Sequence, residues 1–103
     1  MILAPMVRIL PVSNDQKEDA KSVADSLKKA GFRVEIDRSA ERLGKQIRKA
    51  ELAKIPVVIV VGKKEVAEQT LSVRTRKQGD IGTLTMPDLQ SRLQLAVEEK
   101  VTI

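Results

Sequence analysis

Two arginines alternate with inward-facing residues in "LSVRTRKQGDIGTL", residues 71–84. In an extended strand Ser72, Arg74 and Arg76 point one way while Leu71, Val73 and Thr75 point the other. A cationic face opposite an apolar one describes either a solvated outer surface that discourages edge-to-edge association or a surface built to hold an anion. A second group stands in "VGKKE", which closes an apolar run. Ligands of open α/β sheets collect beyond the carboxyl ends of the strands, so Gly62, Lys63, Lys64 and Glu65 occupy a rim where a phosphate could bind. The segment lacks the spacing and the Ser/Thr of a P-loop, and an ordinary charged loop accounts for it equally well. A third group, Arg42, Lys45 and Lys49 with Arg48 nearer the edge, shares one side of a helical segment, and its competing reading is a solvated basic face.

Other chemistry is limited by what the chain lacks. Cysteine and histidine are both absent, which removes disulfides, a thiolate nucleophile, an imidazole base and an ordinary zinc site. Phe32 is the one aromatic residue, so nucleic-acid binding by stacking bases on rings has no rings to use. The carboxylates are spread along helix exteriors or set beside lysines, and no two are placed as an acid/base couple. An autonomous enzyme is therefore not expected, and a binding module is. Nineteen Lys plus Arg against fourteen Asp plus Glu give a net charge of +5, which permits a polyanionic partner. No stretch reaches the roughly 18 apolar residues of a membrane helix. "MILAPMVRIL" has no basic start and is broken by Pro5, which makes it a poor signal peptide. A soluble intracellular domain is the simplest expectation.

The elements that must position these groups read in a regular order. "MVRILPV" is a first strand. Ser13 and Gln16 have capping-box spacing ahead of a helix whose Ala20, Val23, Ala24 and Leu27 recur on one side, and Gly31 is a natural stop. "FRVEID" alternates, with Phe32, Val34 and Ile36 inward. Ser39 is the expected cap of a second helix with Leu43, Ile47 and Ala50 inward. "IPVVIVVG" is a continuous apolar run suited to a central strand buried on both faces. "KKEVAEQ" reads as a loop or short turn, followed by the strand with the arginines and a reversal at Gly79-Asp80. Thr85-Met86-Pro87-Asp88 starts a last helix with Met86, Leu89, Leu93, Ala96 and Val97 on its apolar side. The order predicts an α/β fold: a mixed five-stranded sheet, parallel core plus antiparallel hairpin, flanked by three helices, with one domain over residues 1–103.

Taken in order, "LAP", "RILPVS", "SVADSLKKAGFRVEID", "ERLGKQIRKAELAKIPVVIVVGKKEV" and "SVRTRKQGDIGTL" resemble the C-terminal anticodon-binding domain of threonyl-tRNA synthetases. Similar domains occur in the glycyl-, prolyl- and histidyl-tRNA synthetases. The likeness runs from about Leu3 to the last helix. Its specific parts are "KIP", "VVGKKEV" and "SVRTRKQGDIGTL", and the last points to the threonine member.

The resemblance implies an RNA-binding set of Arg42, Arg48, Lys54, Lys64, Glu65 and Arg74, with the anticodon stem-loop of threonine tRNA as partner. The second and third bases of that anticodon are G and U. Arginine's planar fork can bind guanine bidentately, and a carboxylate such as Glu65 can accept from guanine's N–H edge. Unpaired bases expose these edges, and the remaining cations would hold phosphates, with Arg76 either a phosphate contact or a pairing partner within the sheet. No catalytic residue, metal or cofactor is implied in this domain. ATP, magnesium and zinc would belong to the catalytic domain of a parent ligase, the second expected partner, in the cytoplasm or an organelle matrix. Neither a membrane nor DNA is expected.

The chain departs from the family pattern at Ile2, where a tryptophan is usual, at Ala40 for asparagine, and at Lys45 and Val57 for tyrosines. These losses keep a second reading open, a stand-alone protein-interaction module with weakened RNA binding. A nucleotide-binding module using "VGKKE" is a third.

Overall fold

The strand Val57–Val61 is buried at every position and forms the middle of a five-stranded sheet. The computed structural model describes residues 6–37, 39, 41–76 and 78–99. The strands are β1 (Met6–Pro11), β2 (Arg33–Ile36), β3 (Val57–Val61), β4 (Leu71–Thr75) and β5 (Gly79–Leu84), in spatial order β2-β1-β3-β4-β5. β1 runs parallel to both β2 and β3, while β4 is antiparallel to β3 and β5 antiparallel to β4. The expected parallel core with an antiparallel hairpin is the arrangement found. The helices are α1 (Lys17–Lys29), α2 (Leu43–Leu52), α3 (Lys63–Glu68) and α4 (Met86–Glu99), and a 3₁₀ turn (Asn14–Gln16) leads into α1.

Alternation along the strands sorts side chains onto two faces. One carries Val7, Ile9, Val57, Ile59, Val61, Leu71 and Val73, packed with Ala20, Ala24 and Leu27 of α1 and Leu89 and Leu93 of α4. The other carries Leu10, Val58 and Val60 under Ala50 of α2, with Leu43, Ile47 and Ile55 at the margin. Among the described residues only α2 contributes a helix to this second core, and it leaves Ser72 and Arg74 of β4 half-buried.

Several local expectations change. Among the described residues four helices flank the sheet where three were expected, because "KKEVAE" forms α3. Nothing in that segment is buried, so no apolar periodicity announces it; its ends fix it instead. Glu65 Oε1 accepts from the Gly62 N–H at 3.0 Å, and Gln69 closes the helix with a φ of 54°. Ser39 does not cap α2. The helix starts at Leu43 after Arg42, and Ser39 accepts from the buried Gln46 side chain, whose Nε2 donates to its carbonyl and hydroxyl at 3.3 Å each. Glu41, paired with Lys49, ties the same approach to the helix. The hairpin reverses at a turn containing Arg76 and Gln78, and Gly79-Asp80 already belong to β5.

Ser13 and Gln16 form half of the expected box: Gln16 Oε1 accepts from the Ser13 N–H at 3.1 Å and from its hydroxyl at 2.7 Å. α1 ends as expected, with Gly31 at φ 96°, its N–H on Lys28 O and the Phe32 N–H on Leu27 O. Thr85 Oγ1 accepts from the Asp88 N–H at the start of α4. The Ala96 and Val97 side chains, Ala40 and Ile2 lie outside the described residues.

Candidate functional site

Helical spacing decides which cations of α2 can share a surface with β4. Gly44, Ile47, Arg48 and Glu51 follow at i, i+3, i+4 and i+7, and so form one flank of the helix. Ile47 and Glu51 line a groove of about 260 Å³ together with Ile55, Val58, Arg74, Thr75, Arg76 and Gly79. Arg48, exposed, therefore stands on the flank that faces this groove. Lys49 falls on the other flank, where it pairs with Glu41, and Lys45 points outward. Arg74 pairs across the sheet with Val58, which puts it on the α2 side. Its side chain is 34% exposed, and its guanidinium lies 3.9 Å from the Asp80 carboxylate. Arg76, just past β4, donates its N–H to Pro56 O at 2.9 Å and so fixes the end of the hairpin against the entry to β3.

Lys54 closes the same end. It follows the C-cap Ala53 with a φ of 59°, donates its N–H to Glu51 O at 3.0 Å, and is exposed. The Ile55 N–H then returns to Ala50 O at 3.0 Å. Backbone geometry thus fixes Lys54 at the end of α2, directly before Ile55, which lines the groove.

Arg42, Lys64 and Glu65 belong to the other end of the sheet. Gly62 lies four residues beyond Val58, about 13 Å at the usual rise of a strand. Arg42 precedes α2 and Lys64 opens α3, both exposed. Glu65, half-buried, points to neither the groove nor open solvent alone. It lines a separate cavity of about 220 Å³ with Asp19, Ser22 and Val23 of α1, Leu71 and Met86. A Cβ on Gly62 would sit 2.8 Å from Glu65 Oε1 and 3.1 Å from Val12 Cγ2, so a larger residue there would have to displace the Glu65 carboxylate. The Gly62 amide that could have faced a phosphate is already given to Glu65.

The six residues implied by the sequence are therefore not gathered at one rim. Arg74 lines the groove, with Arg48 and Lys54 next in sequence to its lining residues Ile47 and Ile55; Arg42, Lys64 and Glu65 lie at the carboxyl ends of the parallel strands. Sequence reading missed Asp80, and the Gly79 and Gly82 that flank it were the available signal for an irregular strand. Of the departures from the family pattern, Val57 is wholly buried in the α1–α4 core and so bears on packing, whereas Lys45 is exposed. Among the described residues, no group of three or more His, Cys, Asp or Glu could hold a metal ion, and no helix is long and apolar enough to cross a membrane.

Comparison with known proteins bears on the family and the fold. Residues 6–95 match the family described as "Anticodon binding domain". The threonine–tRNA ligase of Synechococcus elongatus is 50% identical over 100 residues, 96% of this chain and 17% of that protein. The threonine–tRNA ligase of Clostridium acetobutylicum is 41% identical over 101 residues, 97% of this chain and 16% of that protein. The chain thus spans about one sixth of the length of these relatives. Among solved structures, the RNA binding domain of threonyl-tRNA synthetase from Cryptosporidium parvum superposes with a TM-score of 0.82 at 28% identity, covering 89% of this chain and 23% of that one. Prolyl-tRNA synthetase from the same organism gives 0.79 at 26% identity, covering 92% and 21%.

Proposed function

The chain belongs to the anticodon-binding domain family, and from that premise we propose that it reads the anticodon of threonine tRNA for a threonine–tRNA ligase. Activation of threonine with ATP and magnesium, and any zinc, would lie with a separate catalytic domain of the parent ligase, working in the cytoplasm. The observation that carries this reading is the groove between α2 and β4. Ile47, Ile55 and Val58 line it with Arg74 half-buried and Arg76 exposed, and Arg48 and Lys54 are exposed next in sequence to the lining residues Ile47 and Ile55. A half-buried arginine surrounded by exposed cations fits a base edge held within a phosphate-binding frame.

Arg74 is assigned to a base edge, and Arg48 and Lys54 to the backbone. Arg42 and Lys64, at the opposite end of the sheet, are assigned to phosphates outside the groove. Glu65 fixes the Gly62–Lys64 turn with one carboxylate oxygen and offers the other as an acceptor. Without aromatic side chains at the groove, recognition rests on hydrogen bonds and charge. The relatives at 50% and 41% identity favour this reading over a protein-interaction module.

The test is affinity for the threonine-tRNA anticodon stem-loop against a transcript with the second anticodon base changed. The wild-type chain should prefer the first. Arg74→Ala should lose about 1–3 kcal/mol of that preference. Equal affinity of the wild-type chain for both RNAs would dispose of base reading.

A further inference from the structure

Pairing between β4 and β5 changes step at one point. Val73 faces Gly82, but Arg74 faces Asp80, which leaves Ile81 without a partner on β4. In an unbroken ladder Arg74 would face Ile81. The bulge turns Ile81 toward the α1–α4 core, where it packs, and brings Asp80 onto the α2 side beside Arg74. Asp80 is itself oriented: its Oδ1 accepts from the Gly82 N–H at 2.8 Å, and its Oδ2 lies 3.9 Å from Arg74 Nη1. The carboxylate is 58% exposed, so it contributes little to stability as an ion pair. Its fixed position next to a half-buried guanidinium has a clearer consequence for what that guanidinium can bind.

We propose that Asp80 is a positioning and specificity-determining residue, one that makes Arg74 read a base edge instead of gripping a phosphate. The inference rests on the proposed anticodon reading. An arginine beside open solvent attracts the nearest phosphate of any RNA. A carboxylate at this distance offsets part of that attraction and repels a phosphate directly, because like charges would meet beside the half-buried guanidinium. The neutral acceptor edge of guanine, O6 and N7, suffers no such repulsion and still fits the fork. Asp80 also limits the rotation of the guanidinium, so that fewer arrangements compete with the bidentate one.

Asp80→Asn is the informative substitution, since its side-chain oxygen can keep the Gly82 hydrogen bond while the charge is lost. Binding of the 103-residue chain is measured for the cognate stem-loop and for the version with its second anticodon base changed, across a salt series. Affinity for both RNAs should rise at low salt, with the salt slope steeper by about 0.7, the value for one extra phosphate on a single strand. The cognate preference should fall by about fivefold, the small end of a bidentate base contact. Asp80→Glu should restore part of the preference. In an Arg74→Ala background, Asp80→Asn should leave the preference unchanged.

An Asp80→Asn chain that keeps both its preference and its salt slope overturns the proposal, as does an equal loss with and without Arg74. If Arg74→Ala itself leaves the preference intact, the base-reading assignment of Arg74 fails first. Matching thermal unfolding of wild-type and Asp80→Asn chains separates these effects from a change in folding.

Discussion

Lys54, proposed to hold the RNA backbone, sits in a conformation that costs the fold. Its φ of 59° lies in the left-handed region, where glycine is usual after a helix C-cap and a side chain costs about 1–2 kcal/mol. Glycine would relieve that cost but give back about 0.4–1 kcal/mol in the greater freedom of its unfolded state. The first effect is the larger. Lys54→Gly should therefore stabilise the chain by about 0.5–1 kcal/mol in urea unfolding, while weakening RNA binding similarly for cognate and changed stem-loops. Lower stability would mean that the Lys54 side chain makes a packing contribution that the backbone conformation hides. The family pattern implied the position as a site residue. Its strain was not legible, since nothing about a lysine announces a left-handed conformation; the returning Ile55 N–H to Ala50 imposes it.

At the scale of elements, α1 and α2 end in the same way and for the same reason. In each, two N–H groups past the helix turn back onto its last carbonyls, and a hydrophobic residue, Phe32 or Ile55, then enters the sheet layer. Gly31 takes the left-handed position in the first case. Nothing lies within 4 Å of a Cβ built there, so Gly31→Ala meets no clash, and its penalty is wholly conformational. It should lower stability by about 1 kcal/mol, seen as a reduced urea midpoint with an unchanged m-value. A neutral substitution would show that the turn relaxes without loss. The stop at Gly31 could be read in the sequence, as could the inward faces of α1, α2, β2 and β4. α3 could not, because its two ends, and no buried stripe, hold it in place.

For the whole molecule, the decisive feature is asymmetric cover. Two long helices close one face of the sheet, whereas α2 closes only part of the other and leaves a groove beside β4. The net charge of +5 gives that opening an electrostatic reach. If Arg48, Lys54, Lys64 and Arg76 each neutralise a phosphate, or all but one do, log Kobs should fall with log[salt] at a slope of about −2 to −3 for single-stranded RNA. Equilibrium binding across a salt series checks this. A slope near zero would remove the phosphate frame and leave Arg74 as an isolated contact.

By itself the sequence determined the elements whose reason is local. Alternation in "FRVEID" and "LSVRT" states which side chains go inward, the run "VVIVV" states burial on both faces, and missing cysteine and histidine remove whole classes of chemistry. The ordered motifs carried the family. Only the tertiary structure decided which cations share a surface. Arg74 and Lys64 are ten residues apart in the chain, yet antiparallel pairing sends them to opposite ends of β3. Arg48 and Arg74 are far apart in sequence, yet α2 and β4 border one groove. Periodicity records how a residue relates to its immediate neighbours. Register, a one-residue bulge and the side on which a helix crosses depend on distant segments meeting, and those contacts leave no period to read.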